Sequence, residues 1–457
     1  MIAAIAAIAA IAATLAVIAT PAILLAHARL VRSTPSGGAT LPKSPASIEL
    51  WFSERPELRF STLTLVDSAG ASVPLGALSK MAGDPMGLSA TITTPLADGR
   101  YTVAWRTAAD DGHATSGKFS FVVASPNTAS PVVLAGADTS DTRDARSQVP
   151  NTVVELAPTS TMSTAVRWAD LVAVLAIVGT MFFGMFVVPR AQLPADVARD
   201  AEDRARRLAR SVLLLFVVTT VWRLSAQADL VPSASTARMS AMMSVVGGTG
   251  WGAGWLVGAA GAAVVAVGLM FIRSGPIGWF IGGLGAMAIA FGEALTGHPA
   301  ASKNVFLATA VDVTHVLGAG GWLGGLAALT LCGLAATRRA ESAGGTAMSQ
   351  SLVRAYHRSA VLCVSVVLVT ALAAAWMRLG AVSDLWTSPY GRTLALKIAF
   401  AVILLGFGWF HWRTVVIPEW TDDTRFRFRR SVAFELAVGA GIVAVTAVLI
   451  TTALPRS

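Results

Sequence analysis

The chain has 457 residues, of which 54% are hydrophobic and only 13% are charged. A soluble domain normally carries about a quarter of charged residues, so this composition excludes a wholly soluble protein and places most of the chain in lipid. The net charge of +9 does not indicate nucleic acid as a partner, because the arginines fall mainly in short loops between apolar runs, where they set membrane topology.

Residues 1–26 form an apolar run rich in Ala and Ile that ends in Leu24-Leu25-Ala26. Ala26 suits the position before a signal-peptidase cut, although Leu24 is larger than the residue usually found there and no basic residue starts the run. We predict a secretory signal that is cleaved after Ala26, with an uncleaved anchor as the alternative. In both cases the residues from 27 onward are exported.

Residues 27–124 alternate between apolar and polar side chains, as in Ile48-Glu49-Leu50-Trp51-Phe52, and the runs are separated by Gly, Pro and Asp. This period of two predicts an all-β, antiparallel sandwich of immunoglobulin-like type. Residues 125–160 are rich in Ser, Thr, Pro and Asp without apolar periodicity, which predicts a disordered linker.

Residues 161–457 are predicted to form an all-α membrane domain, because their apolar stretches reach the roughly 20 residues that a spanning helix needs. The arginines cluster in alternate loops, so the positive-inside rule places both chain ends outside the cytosol. The two cysteines lie near the cytosolic ends of spans, where we expect no disulfide. The eight predicted spans are 166–188, 208–225, 252–273, 276–296, 306–336, 359–379, 393–416 and 432–454.

Cleavage after Ala26 would give a chain that starts with His27, whose free amine and imidazole offer copper two nitrogens. Asp111 and His113, in the sequence Asp-Gly-His, add a carboxylate and a second imidazole. Nitrogen and oxygen ligands in a square favour Cu(II). Glu54 could orient His27 from outside the ligand set, or it is an ordinary solvent-facing charge. The plain alternative is a processed terminus and an Asp-Gly turn.

Ionisable residues inside membrane spans are costly and are therefore functional candidates. Glu293 and His298 lie at the outer end of the fourth span, while Asp312 and His315, three residues apart, share a face of the fifth. We predict that these four residues converge into a metal-accessible cluster on a copper path. The alternative is that Asp312 and His315 only hold helices together.

Weaker candidates are methionines, whose thioethers suit Cu(I), and two further histidines. Met181 and Met185 in the first span are better explained by packing. An exposed group in an outer loop is the better Cu(I) candidate, and it consists of Met239, Met242 and Met243. His357 and His411 lie beside arginines at cytosolic helix ends and are interpreted as interfacial residues.

Residues 27–124 resemble the periplasmic copper-binding CopC family. The likeness is carried by three segments: the stretch from His27 to Ala39, Glu49-Leu-Trp-Phe-Ser-Glu54, and the run from Gly99 to His113 that continues into Ser116-Gly-Lys-Phe-Ser-Phe121. The resemblance implies a cupredoxin-like sandwich whose Cu(II) site uses His27, Asp111 and His113. Some members add a methionine-rich Cu(I) site, but this chain has only Met81 and Met86 in the comparable loop.

The membrane part resembles the CopD family of copper-resistance proteins. The likeness rests, in order, on Gly297-His298, Asp312-Val-Thr-His315, Trp322-Leu-Gly-Gly325, Tyr390-Gly-Arg392 with Lys397, and Arg430-Ser431 with Glu435. The resemblance implies a fused CopC–CopD protein associated with copper uptake across the inner membrane.

These observations predict a copper-handling protein of the cytoplasmic membrane, not an enzyme, which captures Cu(II) in the exported sandwich and passes copper to the helices. Cu(I) is the candidate form of copper in the membrane domain. No Walker-type loop or phosphorylation motif points to ATP. An external copper chaperone or a reductase would fit as a partner, and the oligomeric state is open. Two rivals remain: a membrane haem or redox protein, which a Soret band would reveal, and a copper sensor or assembly factor without transport.

Overall fold

We analysed a computed structural model of the whole chain, which describes residues 30–53, 55–108, 114–124, 161–230, 237–272, 275–297, 304–338, 345–379, 381–416 and 420–452. The chain divides into two compact units, a β-domain and a helical domain. The predicted leader (1–26) and linker (125–160) lie outside the described residues.

The β-domain is a sandwich of two sheets with strand orders β1-β3-β7-β6 and β2-β9-β8-β4-β5. All pairings are antiparallel except that of β2 with β9. The predicted sandwich is therefore confirmed. The strands are β1 Leu30–Thr34, β2 Thr40–Leu41, β3 Ser47–Phe52, β4 Thr62–Val66, β5 Ser72–Val73, β6 Ser79–Met81, β7 Asp84–Thr91, β8 Gly99–Ala108 and β9 Ala114–Val123.

The alternation in sequence becomes the core of the sandwich, because successive side chains of a strand point to opposite faces. Every second residue of β3, β8 and β9 is buried between the sheets. The rings of Phe52 and Trp105 meet edge to face, with centroids 5.2 Å apart. Gly117 lies opposite Trp105 in the neighbouring strand, and a Cβ there would come within 2.6 Å of the indole ring, so glycine makes room for the tryptophan.

The helical domain contains eight helices that are long and apolar enough to cross a membrane, as predicted. Two additional short helices, α3 and α8, lie between spans, and α3 occupies a region that we predicted to be a loop. The bounds are α1 Thr161–Phe182, α2 Ala195–Ala228, α3 Arg238–Gly248, α4 Gly250–Phe271, α5 Pro276–Leu295, α6 Val305–Ala319, α7 Gly345–Arg378, α8 Asp384–Thr387, α9 Pro389–Val416 and α10 Asp422–Ile450.

The sixth helix does not end its span at Ala319, because two π-helical turns, Gly320–Gly324 and Leu329–Gly333, continue it to Arg338. The first of these turns lies against α1. A Cβ on Gly324 would overlap the carbonyl oxygen of Leu175, so the two backbones can approach this closely only with glycine. Such π-helical turns are frequent at functional positions, and this one contributes Trp322 to a cavity described below.

Both cysteines are free and buried among helices, as expected. We call the end of the bundle that carries the arginine-rich loops the basic end. These loops follow α1, precede α7 and join α9 to α10. The opposite end is called the far end.

Candidate metal site and intramembrane charge clusters

The predicted Cu(II) ligands, His27, Asp111 and His113, lie outside the described residues, as do Glu54 and His298. Their assignment therefore stays a prediction. The described residues next to them in the chain do show where these positions are tethered.

Three segments that flank the predicted ligands meet at one end of the sandwich. Leu30, at the start of β1, pairs with Phe52 at the end of β3. The Phe52 ring contacts Trp105 near the end of β8, and Ala108, the last residue of β8, pairs with Ala114, the first of β9. The described segments that flank residues 27, 54 and 109–113 thus end at the same end of the sandwich.

A group of four charged residues forms the first cluster within the membrane domain, near the far end. Asp170 of α1 and Glu293 of α5 are buried, and both form ion pairs with Arg223 of α2, which for Glu293 measures 2.6 Å. Arg167 adds a second guanidinium, 2.8 Å from Glu293 and 3.4 Å from Asp170. The hydroxyl of Thr219 donates to Asp170 at 2.7 Å. The carboxylates are therefore neutralised by fixed partners, which ties three helices together.

Asp312 belongs to a second cluster, also toward the far end. Its two carboxylate oxygens accept hydrogen bonds of 2.8 and 2.7 Å from Arg378 of α7. His315 is 3.0 Å from the hydroxyl of Thr370 through Nδ1, and its charged neighbours are Lys397 and Arg378. These two cations disfavour a bound metal cation at His315, although Asp312 offsets the charge of Arg378.

Three of the four residues that we predicted to converge into a metal-accessible cluster are described, namely Glu293, Asp312 and His315, whereas His298 is not. Among these three, both carboxylates pair with arginines. In the part of the chain that the structure describes, no three His, Cys, Asp or Glu side chains come together as such a group. The physical reason is that each carboxylate in the predicted group finds an arginine on a neighbouring helix. A buried carboxylate without a cation would be costly, and arginine supplies a geometry that matches it.

The methionines divide as their sequence context predicts. Met181 is buried, with its sulfur against Gly282, so it is a packing residue. In α3 the candidate methionines lie on the side turned away from the buried Ala241 and Val245, and two of them are more than 60% exposed. This exposed group is Met239, Met242 and Met243, of which Met242 is half-buried.

A cavity of about 230 Å³ lies toward the basic end, and sequence reasoning missed it. His411 of α9 and Glu435 of α10 line it, as do Tyr356 and His357 of α7. His411 is only 7% exposed, which corrects its interpretation as an interfacial residue. The signal that could have found the site is Glu435, a carboxylate inside the apolar run of α10 and one helical turn after Ser431.

Three family models match successive parts of the chain. "CopC domain" matches residues 30–124, "Copper resistance protein D-like, N-terminal domain" matches residues 158–307, and "Copper resistance protein D" matches residues 350–449.

Two curated relatives match the same parts of the chain as the family models. "Copper transport protein CutJ" of Bacillus subtilis (strain 168) is 22% identical over 443 residues, which are 95% of this chain and 75% of that protein. "Copper resistance protein C" of Pseudomonas syringae pv. tomato is 36% identical over 107 residues, which are 22% of this chain and 84% of that protein.

Solved structures match the β-domain. The CopC structure from Methylosinus trichosporium OB3b is 31% identical, with a TM-score of 0.21, and the match covers 22% of this chain and 96% of that one. PcoC from Escherichia coli, described as a methionine-rich copper resistance protein, is 29% identical with a TM-score of 0.20, over 22% of this chain and all of that one. The family models for both domain types match in order along one chain, and one relative matches 95% of this chain. The protein therefore belongs to the fused CopC–CopD copper-resistance and copper-transport family.

Proposed function

We propose that this protein captures Cu(II) outside the cytoplasmic membrane with its β-domain and passes copper to the helical domain for uptake into the cytosol. The β-domain and the C-terminus are then extracytoplasmic, and the basic end faces the cytosol, which agrees with the positive-inside rule. Copper is the cargo, and the protein acts as a binding and transport protein and not as an enzyme.

The observation that carries this proposal is the meeting of three flanking segments at one end of the sandwich. A chain spans at most about 3.6 Å per residue, so residue 27 is held within about 11 Å of Leu30. Residues 111 and 113 are at most three residues from Ala108 or Ala114, so the same limit on distance applies to them. Ala108 and Ala114 pair with each other. These short connections support a shared site for His27 with Asp111 and His113, although His27 is more than 80 residues from the other two in sequence.

The proposed ligand set explains the choice of metal. An amine, two imidazoles and a carboxylate are the nitrogen and oxygen donors that suit Cu(II) in a tetragonal arrangement. Glu54 would orient His27, because residues outside the ligand set commonly fix the ring orientation of a ligating histidine. The amine is available only if the leader is cleaved after Ala26.

Within the membrane domain, the proposed copper path now rests on His298 and His315, with the methionines of α3 as candidates for receiving Cu(I). Glu293 and Asp312 serve as partners of Arg223 and Arg378 in this proposal, and not as copper ligands. Because Lys397 and Arg378 lie beside His315, copper would interact with this residue only transiently. A transport site must bind weakly enough to release its cargo.

The capture step is tested by measuring Cu(II) binding to the purified full-length protein by electron paramagnetic resonance. We expect His113→Ala to weaken Cu(II) binding by more than about a hundredfold, since even residues outside a ligand set cost 10–100-fold. Lys118→Ala, an exposed change on β9, is the matched control and should bind as the parent protein does. Equal binding in all three proteins would refute the capture site. The mass of the mature N-terminus shows whether the amine exists.

Copper uptake into vesicles that contain the protein tests the transport step. We expect His315→Ala to lower the rate severalfold, while Cu(II) capture by the β-domain stays intact. If the parent protein binds Cu(II) but does not take copper into the vesicles, the result would instead support a copper sensor or assembly factor. A Soret band in protein without copper would favour the haem alternative.

A further inference from the structure

The cavity toward the basic end contains a carboxylate with an unusual partner. Glu435 is 2% exposed, and its Oε2 lies 2.9 Å from Nδ1 of His411 on the neighbouring helix. Although the two atoms are close, this oxygen accepts no hydrogen bond from the described residues. Nε2 of His411 lies 2.8 Å from the hydroxyl of Ser431. One buried carboxylate oxygen at the cavity thus has unused capacity.

The partner of Glu435 distinguishes it from the other carboxylates in the apolar spans. Asp170, Glu293 and Asp312 are each paired with arginine, which stays charged. Imidazole is the side chain whose ordinary protonation change falls between pH 5 and 8. The partner of Glu435 is therefore a side chain of a type that binds and releases protons, whereas the partners of the other three carboxylates stay charged.

The surroundings of Glu435 and His411 give water access to the pair and contain few other titratable groups. The cavity is large enough for several water molecules and contains polar groups to hold them. From α7, the titratable groups that line it are Tyr356, whose hydroxyl donates to the Trp322 carbonyl at 2.6 Å, and His357. The π-helical segment contributes no titratable group to the lining.

The nearby arginines of α9 and α10 are directed elsewhere. Arg413 stacks on the outer ring of Trp409, with its guanidinium carbon 4.1 Å from the ring centroid. Arg425 is the buried arginine of α10, and it precedes Glu435 by ten residues, or about 15 Å along the helix. Arg427 is exposed and pairs with Asp423. No arginine or lysine within the described ranges forms an ion pair with Glu435.

A metal ion is the competing occupant, and the geometry favours it less. Both ring nitrogens of His411 already have neighbours, Ser431 and Glu435. His357 lines the same cavity, but the described residues do not bring three His, Cys, Asp or Glu side chains together as a metal-binding group. A proton needs only the carboxylate, the imidazole and water.

We propose that Glu435 and His411 form a proton-binding site that exchanges one proton with the cavity water as copper crosses the helical domain. In the loading step the Glu435 carboxylate accepts one proton from hydronium and becomes a neutral acid, leaving water. That acid can then pass the proton to Nδ1 of His411. Release reverses these steps. The coupling to copper rests on the transport function proposed above, whereas the proton site itself does not.

Infrared difference spectra of the full-length protein between pH 5 and pH 8 test the proton site directly. The carbonyl stretch of a protonated carboxyl group should appear at low pH, disappear in Glu435→Gln, and persist in Asp423→Asn. Asp423 is an exposed carboxylate on the same helix and is the matched control. A spectrum that is the same in Glu435→Gln as in the parent protein would overturn the proposal. His411→Gln should shift the pH at which the band appears, and an unchanged pH would equally contradict the paired site.

Copper uptake into vesicles under an imposed pH difference tests the coupling. With one proton per copper ion, one pH unit changes the limiting copper gradient by about tenfold. We expect this response in the parent protein and in Asp423→Asn, and less than a twofold change in Glu435→Gln. Copper bound by nitrogen and oxygen at this site, lost in His411→Gln, would show a metal site and overturn the proton proposal. If no variant and no parent protein moves copper but the infrared band is present, the proton site stands and the proposed transport function fails.

Discussion

The carboxylates at the two ends of the helical bundle have different partners. Toward the far end, Asp170, Glu293 and Asp312 are held by guanidinium groups. Toward the basic end, Glu435 faces an imidazole and a cavity. Arginine stays charged beside a carboxylate, whereas histidine is a side chain of a type that binds and releases protons. The partner, and not the carboxylate itself, decides whether a buried acid in a membrane protein is a structural or a functional group.

This contrast also separates two energetic roles. The far-end cluster joins α1, α2 and α5 through buried charges that have already lost their hydration. Removing one partner leaves an uncompensated charge, and this is strongly destabilising. In its proposed role the Glu435 pair must exist in more than one protonation state, so we expect it to contribute less to stability than the far-end cluster.

Arg223→Ala should produce the largest loss of stability. It removes the guanidinium shared by Asp170 and Glu293, so we expect the free energy of unfolding in detergent to fall by about 3–5 kcal/mol. Arg204→Ala on the same helix is the matched control, because Arg204 forms a single i,i+4 pair with the partly exposed Asp200. Its loss should be about 0.3–0.5 kcal/mol. If both variants lost a similar free energy of unfolding, the structural role assigned to the far-end cluster would be contradicted.

Much of the architecture could be predicted from the sequence because it follows from hydrophobic periodicity. The alternation around Ile48 and Leu50 became the buried face of β3, and the long apolar runs became eight spanning helices. The outer-loop helix α3 was missed, since its 11 residues are too few for a strong periodic signal.

The intramembrane chemistry was predicted less well, because sequence spacing does not reveal which helix faces which. Asp312 and His315 do share a helix, but the group that pairs with Asp312 is Arg378, 66 residues later. Arg223 was not recognised as a partner of Glu293, from which it is 70 residues distant in sequence. His411 was interpreted as interfacial, because its contact with Glu435 depends on the packing of α9 against α10.

Arg378→Ala should have an intermediate effect. The Arg378–Asp312 pair is partly exposed, and its loss removes two charge-assisted hydrogen bonds while relieving the repulsion between Arg378 and Lys397. We expect the free energy of unfolding to fall by about 1.5–3 kcal/mol. The exposed Arg392→Ala should stay within about 0.5 kcal/mol of the parent protein. A loss as large as that of Arg223→Ala would mean that partial exposure does not weaken the far-end pairs.

Ser431→Ala should have the smallest effect on stability, and it sharpens the contrast from the basic end. The change removes one hydrogen bond to Nε2 of His411 and leaves Glu435 in place, so the expected loss is about 0.5–1.5 kcal/mol. Ser365→Ala is the control, because Ser365 lines the same cavity but donates to Val361 of its own helix. A loss above 3 kcal/mol in Ser431→Ala would show that the Glu435–His411 pair is a rigid structural element like the arginine pairs, because a site that must change its charge cannot depend so strongly on one hydrogen bond.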